Sequence, residues 1–302
     1  MAMRIATFAL SGQMISDALR IQAKTADLQL QESAGVKSQT LAGYGADAQH
    51  VINLQVGITR AQSYIDAATL AGGKVQAMYS AVGSMTDVMT QLRSQLSAAS
   101  TGSATETTSV ISSAQDMLKS MASLLNTQYD GQYVFAGGKT DTAPVDLSGY
   151  ASGSGSTTVS DTSYYAGDDQ IAAVRVSTDR SVSYGVTADN SAFEQAMRAL
   201  RFVANSTSLS ANDLSSALDL AGTALDSIAA VQEKLSNNAS AIQDASTSQS
   251  DYKSFTETLA SDLTSVDVAA VTAQLSTYQS QLTASYSAIG KILNLNLANY
   301  LK

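Results

Sequence analysis

The sequence predicts a mainly α fold with a small β insertion: long antiparallel coiled-coil helices drawn from both chain halves, around a β-rich middle domain. Three observations carry this. Apolar or small residues alternate spacings of four and three through Leu54, Ile58, Ala61, Ile65, Ala68, Gly72, Val75, Tyr79 and Val82, the spacing of a coiled-coil seam. Only one proline, Pro144, interrupts 302 residues, and alanine supplies much of the apolar content. Ala is the best helix former and Pro the worst, so very long helices are permitted. Between residues 131 and 190, by contrast, Gly, Ser, Thr, Asp and Tyr concentrate, which is turn and short-strand chemistry.

In chain order, residues 1–47 form an N-terminal helix expected to pair with 266–302. Next comes a helical rod, 48–130, expected to pair with 191–265. The seam from Leu54 continues with slightly shifted phase through Met85, Met89, Leu92 and Leu96. A helix over 48–98 would be about 75 Å long and would end near Gly102. A second helical stretch carries Val110, Met117, Leu118, Met121, Leu124 and Leu125. The small β-rich domain, 131–190, holds strand-like runs at Gln132–Ala136, Ser163–Ala166, Ile171–Ser177 and Ser181–Thr187, with Gly149–Thr158 expected to be a mobile loop. In the second half Ser210 and Asp213 are placed as a capping box, with Asp replacing the usual Glu. Leu214, Leu218, Ala221, Leu225, Ile228, Leu235, Ile242, Tyr252, Leu259 and Leu263 then form one stripe. An interruption at Thr264–Asp267 starts a new helix, since Asp suits a helix N-terminus.

The central stripes, 54–98 and 214–263, are assigned to an intrachain core. The terminal stripes have no evident core beyond each other and are assigned to contacts with neighbouring copies. Their candidate interface residues are Phe8, Ile15 and Leu19 at one end, and Val268, Val271, Leu275, Tyr278, Leu282, Ile289 and Leu293 at the other.

Composition excludes several function classes. A net charge of −9 argues against a nucleic-acid partner, and no basic cluster offers itself to an anionic membrane. The absence of cysteine removes thiol nucleophiles, disulfides and Cys-type zinc sites. The N-terminus lacks a continuous apolar core and a cleavage site, so it does not read as a Sec signal, and no apolar run is expected to reach spanning length. The single histidine, His50, cannot build a His-based metal site and reads as a surface or capping residue. Asp168-Asp169 reads as a solvated turn, lacking the alternating ligands of a calcium loop. Gly137-Gly138-Lys139-Thr140 lacks the first glycine and the helix of a phosphate loop. No catalytic residue, cofactor or metal is expected, and the chain is read as a non-enzyme.

One stretch is more specific. Leu125-Asn126-Thr127-Gln128-Tyr129-Asp130-Gly131-Gln132-Tyr133-Val134-Phe135-Ala136-Gly137-Gly138-Lys139-Thr140, followed by Pro144, resembles the point in the flagellin superfamily where helix gives way to the outer domain. Within that superfamily it is most similar to the hook–filament junction branch, the hook-associated protein 3 family. Tyr133, Phe135, Gly137, Thr140 and Pro144 carry that likeness. Tyr165-Ala166-Gly167-Asp168, Arg175-Val176-Ser177, Phe193, Gln91–Leu96 and the C-terminal stretch from Ser285 to Leu301 resemble further family segments. The chain departs from the family at Ala42–Ala48, where a Ser/Asp-Asp turn is usual. The resemblance implies type III export with an uncleaved N-terminus, an export chaperone, and an extracellular flagellar location in motile bacteria. It also implies assembly as a ring of copies between hook-associated protein 1 and flagellin. Two other readings stay open: a flagellin that forms the filament itself, and a surface adhesin or glycan-binding protein presenting Tyr164, Tyr165 and Tyr184.

Overall fold

The computed structural model describes residues 2–101, 104–151 and 155–298, with backbone alone at 2–11, 104–106 and 292–298. The order is α1 (Ala2–Ala34), a 3-10 turn (Leu41–Asp47), α2 (Ala48–Thr101), α3 (Ala104–Leu125), β1 (Gln128–Tyr129), β2 (Gln132–Tyr133), β3 (Ala173–Arg175), β4 (Ser181–Ser183), α4 (Ser191–Ala204), α5 (Ala211–Thr264) and α6 (Val268–Ala298). The fold is mainly α with a small β insertion, as the periodicity indicated. The chain divides into two compact units, Met1–Thr59 with Lys253–Lys302, and Arg60–Tyr252.

In the second unit the α2 stripe is buried at Ala61, Ala68, Val75, Val82, Met85, Met89, Leu92 and Leu96. From Ala68 onward it shares one core with Leu214, Ala217, Ala221, Ala224, Ile228, Leu235 and Ile242 of α5. Gly83 faces Gln232, while Gly72 shares a groove with Ile242 and Gln243. Rising numbers on α2 therefore meet falling numbers on α5, and the two run antiparallel. The phase departs from expectation at Tyr79, which is exposed while Met78 is buried in its place. It departs again on α5, where Tyr252 and Leu259 are exposed and Thr256 is the buried position. A strict seven-residue repeat drifts around a straight helix of 3.6 residues per turn, so long stripes step by one residue.

By length and composition α5 is apolar enough to cross a membrane, contrary to the expectation that no segment would be. Its seam residues are buried against this unit's own core, which accounts for that character.

The capping box forms as read. Ser210 N–H donates to Asp213 Oδ2 at 2.8 Å, and Asp213 N–H donates to Ser210 Oγ at 3.2 Å. At the start of α6, Asp267 Oδ1 accepts the Ala270 N–H at 3.1 Å. Asn190 caps α4 by accepting the Ala192 N–H at 3.1 Å. The amphipathic α4 then buries Phe193, Ala196, Met197, Leu200 and Val203, packing on α3.

The middle contains less strand than its composition suggested. Gln132–Ala136 pairs only at Gln132–Tyr133, Ile171–Ser177 shrinks to Ala173–Arg175, and Ser181–Thr187 to Ser181–Ser183. Ser163–Ala166 supplies a single bridge, Tyr165 to Val145. Each hairpin has one partner strand, too little to widen into a sheet. The backbone groups turn instead to other partners. Asn126 donates to Val145 O and accepts from Val145 N, both at 2.9 Å, and Ala166 N–H reaches Pro144 O at 2.9 Å. Between β1 and β2, Asp130 and Gly131 both take positive φ, 52° and 72°, the geometry of a primed hairpin turn.

The segment expected to be a mobile loop is anchored where it is described. Tyr150 is buried edge-to-face against Tyr164, with centroids 5.0 Å apart and planes at 74°, and the Arg201 guanidinium lies 4.2 Å over its ring. Residues 152–154 of that segment lie outside the described residues.

Candidate assembly surface

The first unit brings the two chain ends together. α1 ends at Gly35, whose φ of 69° lets its N–H close on Gln31 O at 2.8 Å. The next residues are stitched to the α5–α6 joint. Lys37 N–H donates to Thr264 O at 2.7 Å, Val266 N–H to Gly35 O at 3.1 Å, and Lys37 Nζ to Leu263 O at 2.7 Å. These bonds fold α6 back along α1. Leu28 packs with Val271 and Leu275, flanked by Val266 and Tyr278, and Thr272 Oγ1 donates to Glu32 Oε1 at 2.7 Å.

The candidate residues therefore fall into two groups. Val271 and Leu275 are buried within the chain, with Tyr278 half-buried beside them. Ile15, Leu19 and Val268 are exposed, while Leu282 and Ile289 are half-buried. The side chains of Phe8 and Leu293 lie outside the described residues. Sequence reasoning missed the α1 half of the seam: Ala18, Ile21, Thr25 and Leu28 face inward at spacings of three, four and three. Thr25 disguised it. Its hydroxyl is satisfied by Ile21 O at 2.8 Å, which lets a polar residue occupy an apolar position. Further exposed apolar side chains join the outward group, namely Leu30, Val56, Phe255, Leu259 and Tyr286.

Where α3 gives way to the insertion, the singled-out residues are structural pivots. Phe135 is fully buried, edge-to-face on Phe193 with centroids 5.6 Å apart and planes at 80°. Gly137 has φ of 72°, and a Cβ there would lie 2.4 Å from Asp168 O, so only glycine fits. Tyr133 N–H donates to Thr140 O at 2.9 Å, closing the segment on itself. Tyr129 lies over Gly73, where a Cβ would meet its hydroxyl at 2.2 Å.

The chemistry-bearing residues are engaged structurally. Lys139 Nζ donates to Ala166 O and Gly167 O at 3.4 and 3.2 Å. Asp168 Oδ1 accepts from Gly138 N–H and Gln170 N–H, and these bonds hold its carboxyl below the usual carboxylate range. His50 is exposed. Among the described residues no three His, Asp or Glu side chains group as a metal site. Tyr164 and Tyr184 are buried, and burial pushes both hydroxyls above the ordinary tyrosine value.

A family model, the bacterial flagellin N-terminal helical region, matches residues 5–140. A comparison with curated sequences gives no significant match. Among solved structures, an assigned flagellar hook-associated protein from Vibrio parahaemolyticus superposes with a TM-score of 0.60 at 14% identity, covering 74% of this chain and 100% of that one. FlgL from Bacillus cereus gives 0.42 at 11%, covering 72% and 98%. Flagellar hook associated protein-3 from Legionella pneumophila gives 0.43 at 14%, covering 71% and 97%. The first is a likeness of fold. The region that matches the flagellin N-terminal model contains both the long α2 and the pivot at Phe135 and Gly137, so this part of the chain is similar to that family.

Proposed function

We propose that this protein is a non-enzymatic structural subunit of the bacterial flagellum that joins hook to filament. The observation that supports this most is the outward apolar group on the paired terminal helices: Ile15, Leu19, Val268 and Tyr286 are exposed beside a seam of a few buried residues. These exposed side chains, carried by both terminal helices, are in this reading the positions that other subunits cover. In this reading residues 1–47 and 266–302 form the inner packing of a ring of copies. The rod segments 48–130 and 191–265 and the insertion 131–190 supply the remaining contacts. Hook-associated protein 1 lies on one face of the ring and flagellin on the other, after export through the flagellar type III channel with a chaperone. The fold likeness to the Vibrio parahaemolyticus protein supports the hook-associated assignment.

A strain lacking this protein is expected to build hooks and release flagellin into the medium, and labelled antibody to mark one band beside the hook. Labelling along the whole filament would replace the junction reading with the flagellin reading, which the family model for residues 5–140 favours. The adhesin reading loses support, because Tyr164 and Tyr184 are buried rather than presented.

A further inference from the structure

Residues 156–163 cross one face of α4, and none of their side chains is buried. The stretch enters at Gly155, pressed so flat that a Cβ would lie 2.4 Å from Phe202 Cα. Polar groups hold it from there. Arg198 Nη1 donates to Thr157 O at 2.7 Å. Glu194, itself buried, accepts the Asp161 N–H at 2.9 Å and sits 3.1 Å from Arg198 Nε. Asp161 pairs with Arg201 and accepts the Ser163 N–H at 2.9 Å. Glu194, Arg198 and Arg201 lie at spacings of four and three, so one face of α4 supplies every cation and the buried carboxylate. Just beyond the stretch the attachment changes character: Tyr164 is buried in the core, its hydroxyl donating to Ala188 O at 2.9 Å.

We propose that 156–163 is an ionic strap that opens from α4 as a unit while the helical core stays folded, latched by the Asp161–Arg201 pair and by the bonds of Asp161 N–H to Glu194 and of Arg198 to Thr157 O. A segment without buried apolar side chains belongs to the low-stability end of local opening. A segment integral to the core would resemble Tyr164 instead. Opening uncovers Arg198, Arg201 and the buried Glu194 together, so the strap controls whether a charged face of α4 is presented on an otherwise acidic protein.

Hydrogen exchange on the full chain at neutral pH tests this. Asp161→Asn keeps the shape and removes the charge. It is expected to speed exchange across 156–163 by about tenfold or more, leaving α3 and α4 at wild-type rates. Unchanged strap exchange, or strap and α4 accelerating together, would overturn the proposal. A second measurement needs no variant: wild-type exchange in rising urea. Strap amides are expected to exchange with almost no urea dependence and α4 amides with a steep one, whereas a shared dependence would also overturn the strap.

Discussion

Two leucines of the terminal helices separate folding of the subunit from its assembly. Leu19 is 60% exposed, whereas Leu275 is 7% exposed on Leu28. Fully burying a leucine stabilises by about 1.5–3 kcal/mol. Covering the exposed part of Leu19 in an assembled ring is therefore worth about 1–2 kcal/mol, a five- to thirty-fold effect on each contact. Leu19→Asp forfeits this and places an unpaired carboxylate in the interface, which adds several kcal/mol of desolvation cost. In the free subunit the side chain faces mostly solvent, and the same change should cost about 0.5 kcal/mol. Leu275→Asp puts the charge against Leu28 and should separate α1 from α6 in the subunit itself. Far-ultraviolet circular dichroism and limited proteolysis report on the subunit, and restoration of motility in a deletion strain reports on assembly. The expected pattern is an intact Leu19→Asp subunit that fails to assemble and a Leu275→Asp subunit with less helix. Equal loss of helix in both, or normal assembly of Leu19→Asp, would refute the division into inward and outward residues.

Phe135→Ala removes a fully buried ring and its edge-to-face contact with Phe193, so urea unfolding should show a loss of about 3–5 kcal/mol; under about 1 kcal/mol would mean the pivot is dispensable. Ser210→Ala breaks half of the capping box and should cost about 1 kcal/mol in the same assay. Hydrogen bonds from Ser163, followed by the Arg201 pair, hold Asp161 down to about 2. A depressed carboxyl stabilises the fold above its unfolded value near 3.9 and loses that contribution as pH falls through about 2. Near-ultraviolet signals from the adjacent Tyr150 and Tyr164 should therefore weaken between about pH 4 and pH 2, and Asp161→Asn should lack that step. Burial pushes Tyr150 up to about 12, so its stabilising contribution is complete below about pH 10 and fades as pH rises through about 12; absorbance titration should show its ionisation only together with loss of the fold.

Periodicity made α2 and α5 legible because their seams run for many turns and because Ser210 and Asp213 announce a helix start. The insertion was legible as a change of composition but not as a structure. Its Tyr, Ser and Thr suggested strands, yet the backbone groups of Val145, Ala166 and Gly138 are satisfied by Asn126, Pro144 and Asp168 rather than by neighbouring strands. Seam phase was the next casualty. Ala61, Ala68, Ala217, Ala221 and Ala224 occupy buried positions, and alanine is common on both faces of these helices, so it marks an inward face weakly. A one-residue step from Tyr79 to Met78 leaves almost no trace. The network on α4 was invisible for a different reason: Asp161 reaches Arg201 across forty positions, and no local pattern encodes such a pair.

The two units also differ in where their large apolar side chains are used. In Arg60–Tyr252, Met85, Met89, Leu92, Leu96, Met121, Phe135, Phe193 and Met197 are all fully buried. In the other unit, the described buried side chains are Ala18, Thr25, Leu28, Val51, Thr256, Val271 and Leu275, while Ile15, Leu19, Leu30, Val56, Phe255, Leu259, Val268 and Tyr286 are exposed. Burial scales with apolar area removed from water, so the first set of side chains has already delivered its stabilisation inside the subunit. The second set has not, and the backbone bonds at Gly35, Lys37 and Val266 hold α1 and α6 side by side without it. A surface arranged by hydrogen bonds, with its apolar area still unused, is suited to release that free energy on contact with other subunits. Substitutions at Leu19 or Tyr286 should therefore act on assembly, and substitutions at Phe135 or Leu92 on the fold.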